Sequence, residues 1–159
     1  MKKTILLLAA LFVLAGCSTT VKTSQPMSAS VQSGMTVAET TAVFGTGATG
    51  PAEVVPMLEA AVMKAVAARN SSGTKVRLKM TITRYTLVNA GARALIGAMA
   101  GSNYLNVDVV VESVESGEVV GRYSVERESN PGGYGIFYSQ ANGLINEAAK
   151  GVAQGLSGS

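Results

Sequence analysis

Polar and apolar residues alternate over two long stretches of the chain. Between Lys75 and Val88, Val76, Leu78, Met80 and Ile82 fall on one side of an extended backbone, and Lys75, Arg77, Lys79, Thr81 and Thr83 on the other. Between Ser102 and Val114, Leu105, Val107, Val109 and Val111 alternate with Asn106, Asp108 and Glu112. A period of two with one apolar side predicts strands that bury a single face. Glu118 to Glu128 predicts another, with Val119, Tyr123 and Val125 inward and Arg122, Ser124 and Glu126 outward. Glu115-Ser116-Gly117 before it reads as a hairpin turn, the glycine supplying positive φ. Met35 to Phe44 is rich in Thr and Val and predicts a first strand, although Glu39 interrupts its apolar side.

Two stretches change to the helical period. After Pro51, Leu58, Val62, Ala65 and Val66 share one side of a helix that ends near Asn70, before Ser71-Ser72-Gly73. Pro56 requires the regular turns to begin near Val55, because proline fits only the first turn of a helix. From about Phe137 to Leu156, Ala141, Leu144, Ile145, Ala148, Val152 and Leu156 recur at helical spacing. Charge sorts by position as well. No acid lies between Glu59 and Asp108, whereas Lys75, Arg77 and Lys79 do, and Asp108, Glu112, Glu115 and Glu118 follow. Antiparallel pairing of the second and third strands sets the basic outer side beside the acidic one, where cross-strand pairs contribute ~0.2–1 kcal/mol each. The expected fold is α+β: a two-layer sandwich, with a mostly antiparallel four-stranded sheet and two helices packed on one face.

Composition then narrows the function. Without Lys2 and Lys3 the basic residues number eleven against ten acids, a net of +1, which removes the electrostatic case for binding nucleic acid. There is no His and no Trp, so the commonest general base and zinc ligand are missing. The single cysteine, Cys17, excludes an intrachain disulfide.

That cysteine follows Lys2, Lys3, an apolar run from Ile5 to Leu14, and Ala15-Gly16. A basic start and a short apolar run form a secretory signal. The run falls short of the ~20 residues of a permanent span. The arrangement resembles the lipobox of bacterial lipoproteins, whose cysteine thiol receives a diacylglycerol, whose signal is cut before it, and whose new amino terminus is acylated. The resemblance implies a signal peptide over residues 1–16 and lipidation of Cys17. Ser18 stands where lipoproteins kept in the inner membrane often carry Asp, which implies sorting to the outer membrane with the domain facing the periplasm. Residues 17–34 are Ser/Thr/Gln-rich and are expected to be the lipidated cysteine and a flexible tether; residues 35–159 form the α+β domain.

Asn89 to Gly101 is thirteen small or apolar residues with one charge, Arg93, where a hairpin needs only two to five. Gly97-xxx-Gly101 and the Ala90, Ala94, Ala98 spacing suit close approach to another backbone. Three readings compete: a flap over the sheet edge or the end of the core, a self-association or partner surface, and membrane contact. The candidate partner-binding residues are Arg93, Leu95, Ile96, Gly97, Met99 and Gly101. Gly151-xxx-Gly155 in the last helix reads as close packing on the sheet.

The order of lipobox, polar tether, strand, helix, strand with Arg84-Tyr85, Gly/Ala-rich insertion, Val-rich strand and Gly-turned hairpin resembles the small bacterial lipoproteins grouped as domain of unknown function 4410, over about Met35 to Leu156. The resemblance implies an envelope protein and carries over no catalytic residues. The plan is also similar in outline to periplasmic accessory lipoproteins of envelope transport systems.

Other chemical signals are weak. Gly45-x-Gly47-x-x-Gly50 sits between a strand and a helix as a dinucleotide fingerprint does, but the acid expected about twenty residues beyond it is missing. Ser72-x-x-Lys75 leads into a strand and lacks its companion motifs. Asp108 and Glu112 stand ~13 Å apart on one strand, beyond glycosidase separations. Asn130 to Gly135 reads as a plain turn rather than an anion loop. The sequence therefore points to a non-enzymatic, membrane-anchored envelope lipoprotein without cofactor or metal, binding an envelope protein or assembling with itself. The alternative is an accessory or pore component of a secretion or transport system that inserts the Gly/Ala-rich segment into the bilayer.

Overall fold

The computed structural model describes residues 18–69, 71–129 and 140–158. Five strands form one sheet: β1 (Ser18–Gln25), β2 (Met35–Phe44), β3 (Thr74–Thr86), β4 (Asn103–Ser113) and β5 (Val119–Ser129), in the order β1-β5-β4-β3-β2. The helices are α1 (Ala29–Ser33), α2 (Val54–Val66), α3 (Ala90–Ile96) and α4 (Gln140–Gly155). A 3-10 turn, Ala67–Arg69, closes α2. Both long helices lie on one face, α2 over β2 and α4 over β1, β4 and β5, and they pack against each other.

Alternation places the core where the pattern requires it. Val76, Leu78, Met80 and Ile82 of β3 and Leu105, Val107, Val109 and Val111 of β4 are buried. They meet Val54, Leu58, Val62 and Val66, four successive turns of α2. Pro56 sits in the first turn of α2, where the missing N–H has no intrahelical acceptor. On the open face, Lys79 Nζ lies 2.7 Å from Glu112 Oε1, as the charge segregation predicts for β3 against β4, and Arg77 Nε lies 2.7 Å from Glu39 Oε2 on β2.

The close-packing reading of α4 also holds. A Cβ on Gly155 would lie 2.3 Å from the Tyr123 ring, and one on Gly151 2.6 Å from Val125. These glycines let the helix backbone approach the sheet, and Tyr123 Oη donates to the Val152 carbonyl at 2.8 Å.

The expected sheet and tether need correction. The sheet has five strands rather than four. It is mixed, since β2 and β3 run parallel while the other three pairs are antiparallel. The strand–helix–strand crossover through α2 forces this, because a helix returning to the same end produces parallel neighbours. The expected tether holds β1, α1 and the start of the domain. Thr19 and Val21 turn partly inward and pair with Arg127 and Val125, so β5 supplies the hydrogen bonds that the strand's own composition cannot replace with hydrophobic burial. The strand expected over Met35 to Phe44 is present, and the interruption at Glu39 has a local cause. A register shift between Val37 and Glu39 turns the acid outward and returns Ala42 to the core.

Candidate functional site

Strand pairing aligns Ser18, Glu128, Tyr104 and Thr86 in one row across β1, β5, β4 and β3. Three interstrand steps separate Ser18 from Thr86, about 14 Å. Ser18 directly follows Cys17 in sequence, and Cys17 lies outside the described residues. The insertion leaves the sheet at Leu87, one residue past the row. Thus Ser18, the residue after the candidate lipidation site, and the start of the candidate contact segment share one end of the sheet.

Asn103 fixes the base of the insertion. It is fully buried; its Oδ1 accepts from the Val88 N–H at 2.8 Å and its Nδ2 donates to Gln140 Oε1 at 3.3 Å. Asn89 Oδ1 accepts from the Gly91 N–H at 2.7 Å and starts α3. A 3-10 turn, Gly97–Ala100, follows, and α3 packs chiefly against this turn rather than on the sheet or the long helices. Arg93 falls within α3 and Gly97 opens the turn.

The apolar members face water: Leu95 is 86 % exposed, Ile96 55 % and Met99 88 %. A flap over the core would bury these side chains, so that reading fails. The helix-contact reading of Gly97-xxx-Gly101 is corrected too. The four-residue spacing spans a 3-10 turn and its exit, and Gly101 has φ +97°, a conformation that serves the return into β4.

On the solvent face near the same end, the Arg84 guanidinium lies 3.6 Å over the Tyr104 ring, and Tyr104 Oη donates to Glu128 Oε1 at 3.0 Å. With Ser18, Asn106 and Glu126 they line a polar cleft of about 230 Å³. Arg84 is set against Glu126 and Glu128 there, so the cleft offers an anion no excess of positive charge. Sequence reasoning passed over Arg127. Alternation from Val125 places it on the helix side, where it is 7 % exposed and donates to Thr19 Oγ1 at 3.0 Å, while its Nε has no partner among the described residues. The signal was available in the period of two.

The opposite end holds an apolar cavity of about 480 Å³ between α1, β2 and the ends of α2 and α4, lined by Met35, Val37, Val66 and Leu156, with Gln32 at its rim. The glycine loop proves structural in its contacts. The Gly45 N–H donates to the Ile82 carbonyl at 2.9 Å, Gly47 has φ +83°, and a Cβ on Gly50 would lie 2.8 Å from Phe44 and 2.9 Å from Tyr85. Glu112 is engaged by Lys79, and Asp108 is exposed opposite Thr81. Among the described residues no group of three metal-ligating side chains gathers, and no helix is long and apolar enough to cross a membrane. Asn130 to Gly135 lies outside the described residues.

The profile of the family described as Domain of unknown function (DUF4410) matches residues 32–133. Among solved structures, a point variant of PelC from Paraburkholderia phytofirmans, a dodecamer, superposes with a TM-score of 0.51 at 12% identity, covering 86% of this chain and 98% of that one. A second PelC dodecamer from the same organism gives 0.51 at 15% identity, covering 84% and 97%. A candidate lipoprotein from Caulobacter crescentus CB15 gives 0.41 at 18% identity, covering 80% and 90%. At these identities the likeness is one of fold. No curated protein matches the sequence significantly.

Proposed function

This chain belongs to the family described as domain of unknown function (DUF4410), and from that premise we propose that it is a non-enzymatic, lipid-anchored module of the bacterial envelope that assembles with copies of itself. One observation carries the proposal. β1 begins at Ser18, the residue after Cys17, and is built into the sheet through its pairing with β5. A lipid on Cys17 therefore holds the folded domain directly against the membrane. Two or three acyl chains make that attachment effectively permanent, since each buried CH₂ contributes ~0.8 kcal/mol. Ser18 supports the outer membrane as the address, with the domain in the periplasm.

Self-assembly is supported by the likeness in fold to the PelC structures, which are dodecamers. The insertion, with Leu95, Ile96 and Met99 exposed, is a surface the domain leaves open to the envelope. No reaction is assigned to the chain.

Full-length protein extracted from envelopes in mild detergent tests this. Its intact mass should equal the polypeptide from Cys17 plus the acyl groups, Cys17→Ala should leave the unprocessed precursor, and native mass spectrometry should show multiples of the subunit. A processed chain without added acyl mass defeats the anchor; a monomer at envelope concentration defeats the assembly.

A further inference from the structure

Leu87, Leu95, Ile96 and Met99 are four of the six exposed large hydrophobic residues among the described ones, and all belong to one end of the sheet. Leu95 and Ile96 close α3 and Met99 lies in the 3-10 turn that follows, so the three fall within five successive residues. From Leu87 to Gly101 there is no acid and one base, Arg93. Side chains left this exposed among the described residues favour another apolar phase, and the register of β1 places one within reach.

We propose that the insertion is a membrane-docking wedge: Leu95, Ile96 and Met99 enter the same leaflet that receives the acyl chains of Cys17. This rests on the anchored reading above and gives its contact segment an occupant, the lipid surface. The cross-strand row puts the start of the insertion about 14 Å laterally from Ser18. With no spacer between Cys17 and β1, the wedge sits at the height of the headgroups whenever the anchor is embedded. Seven residues of α3 extend about 10 Å, against a hydrocarbon core of about 30 Å, so the segment lies in the interface and does not span. Exposed apolar side chains in a stretch without an acid suit burial at the headgroup boundary. The wedge supplies a second point of attachment, and two points fix an orientation that one anchor leaves free.

The decisive experiment uses the mature acylated protein in vesicles of phosphatidylethanolamine and phosphatidylglycerol. An environment-sensitive fluorophore is attached at Met99→Cys and, in a separate sample, at Glu115→Cys in the turn at the opposite end; intact mass confirms the acyl groups in both. The expected result is blue-shifted emission at the first site and quenching by nitroxides on the lipid chains several-fold greater than at the second. Adding Leu95→Asp and Ile96→Asp to the first sample should abolish the difference, because each apolar side chain withdrawn from lipid weakens partitioning about tenfold. Equal quenching of both sites by aqueous iodide overturns the proposal. Protection of the first site from iodide without quenching by lipid nitroxides also overturns it, and assigns the wedge to a protein surface. Absence of acyl mass is a separate failure, of the anchor itself.

Discussion

The Glu59 carboxylate on α2 accepts a hydrogen bond from the backbone N–H of Ala42 on β2, at 2.7 Å. β2 is an edge strand, and on its outer side this N–H has no neighbouring strand to bond. Glu59 reaches from the helix and occupies it, while the Thr40 hydroxyl donates to the Glu59 carbonyl at 3.4 Å. An edge whose donors are occupied is a poor template for another strand. Glu59→Ala should cost about 1–3 kcal/mol, since it orphans a buried amide, and should raise aggregation on storage; Glu59→Gln should retain most of the stability. Urea denaturation with light scattering measures both effects.

Two glycines of one helix should respond in opposite directions. Gly155→Ala drives a methyl into the Tyr123 ring and displaces the Tyr123–Val152 hydrogen bond, so a loss of about 1–3 kcal/mol is expected. Around Gly143 nothing lies within 4 Å of an added Cβ, and Gly143→Ala should stabilise α4 by about 1 kcal/mol. Thermal melts of the two variants against wild type check the sign of each.

Gly101 separates a backbone role from a packing role. A close helix contact accepts Ala almost as readily as Gly, whereas φ of +97° does not. Gly101→Ala should therefore lower stability by about 1–2 kcal/mol. A melting temperature equal to wild type would restore the contact explanation.

Alkaline pH should weaken the fold through Tyr85. Burial raises the Tyr85 phenol above its ordinary 10.0, and Glu53 adds to the rise. The phenol of the unfolded chain ionises first, so the unfolded state holds fewer protons in that range. Stability is then unaffected below pH 10.0 and declines as pH climbs past it toward the folded value. Tyr85→Phe should flatten the decline, as read by denaturation midpoints across that range.

Much of this fold is legible in the sequence because β3 and β4 are buried on one face only. Their period of two assigns each side chain, and the basic and acidic outer residues identify the two strands as neighbours before any register is known. β1 is not legible in that way. An edge strand with one aliphatic residue, Val21, has the composition of a linker, and its order comes from backbone bonds donated and accepted by a strand one hundred residues away. The bulges at Ala38 and Thr83 escape for a related reason: an inserted residue reverses the pleat, and only the partner strand reveals it. The insertion announces itself by length and by its small residues. Its nearness to Cys17 depends wholly on the pairing of Ser18 with Glu128, which no local pattern encodes.

The same pairing has a mechanical meaning. A pull that reaches Ser18 along the chain runs parallel to β1, so it loads the hydrogen bonds to β5 in shear, side by side, rather than peeling them open in turn. On the proposed anchoring, a foot fastened in this manner would resist tearing from the body above it, passing tension at the surface into the sheet as a whole.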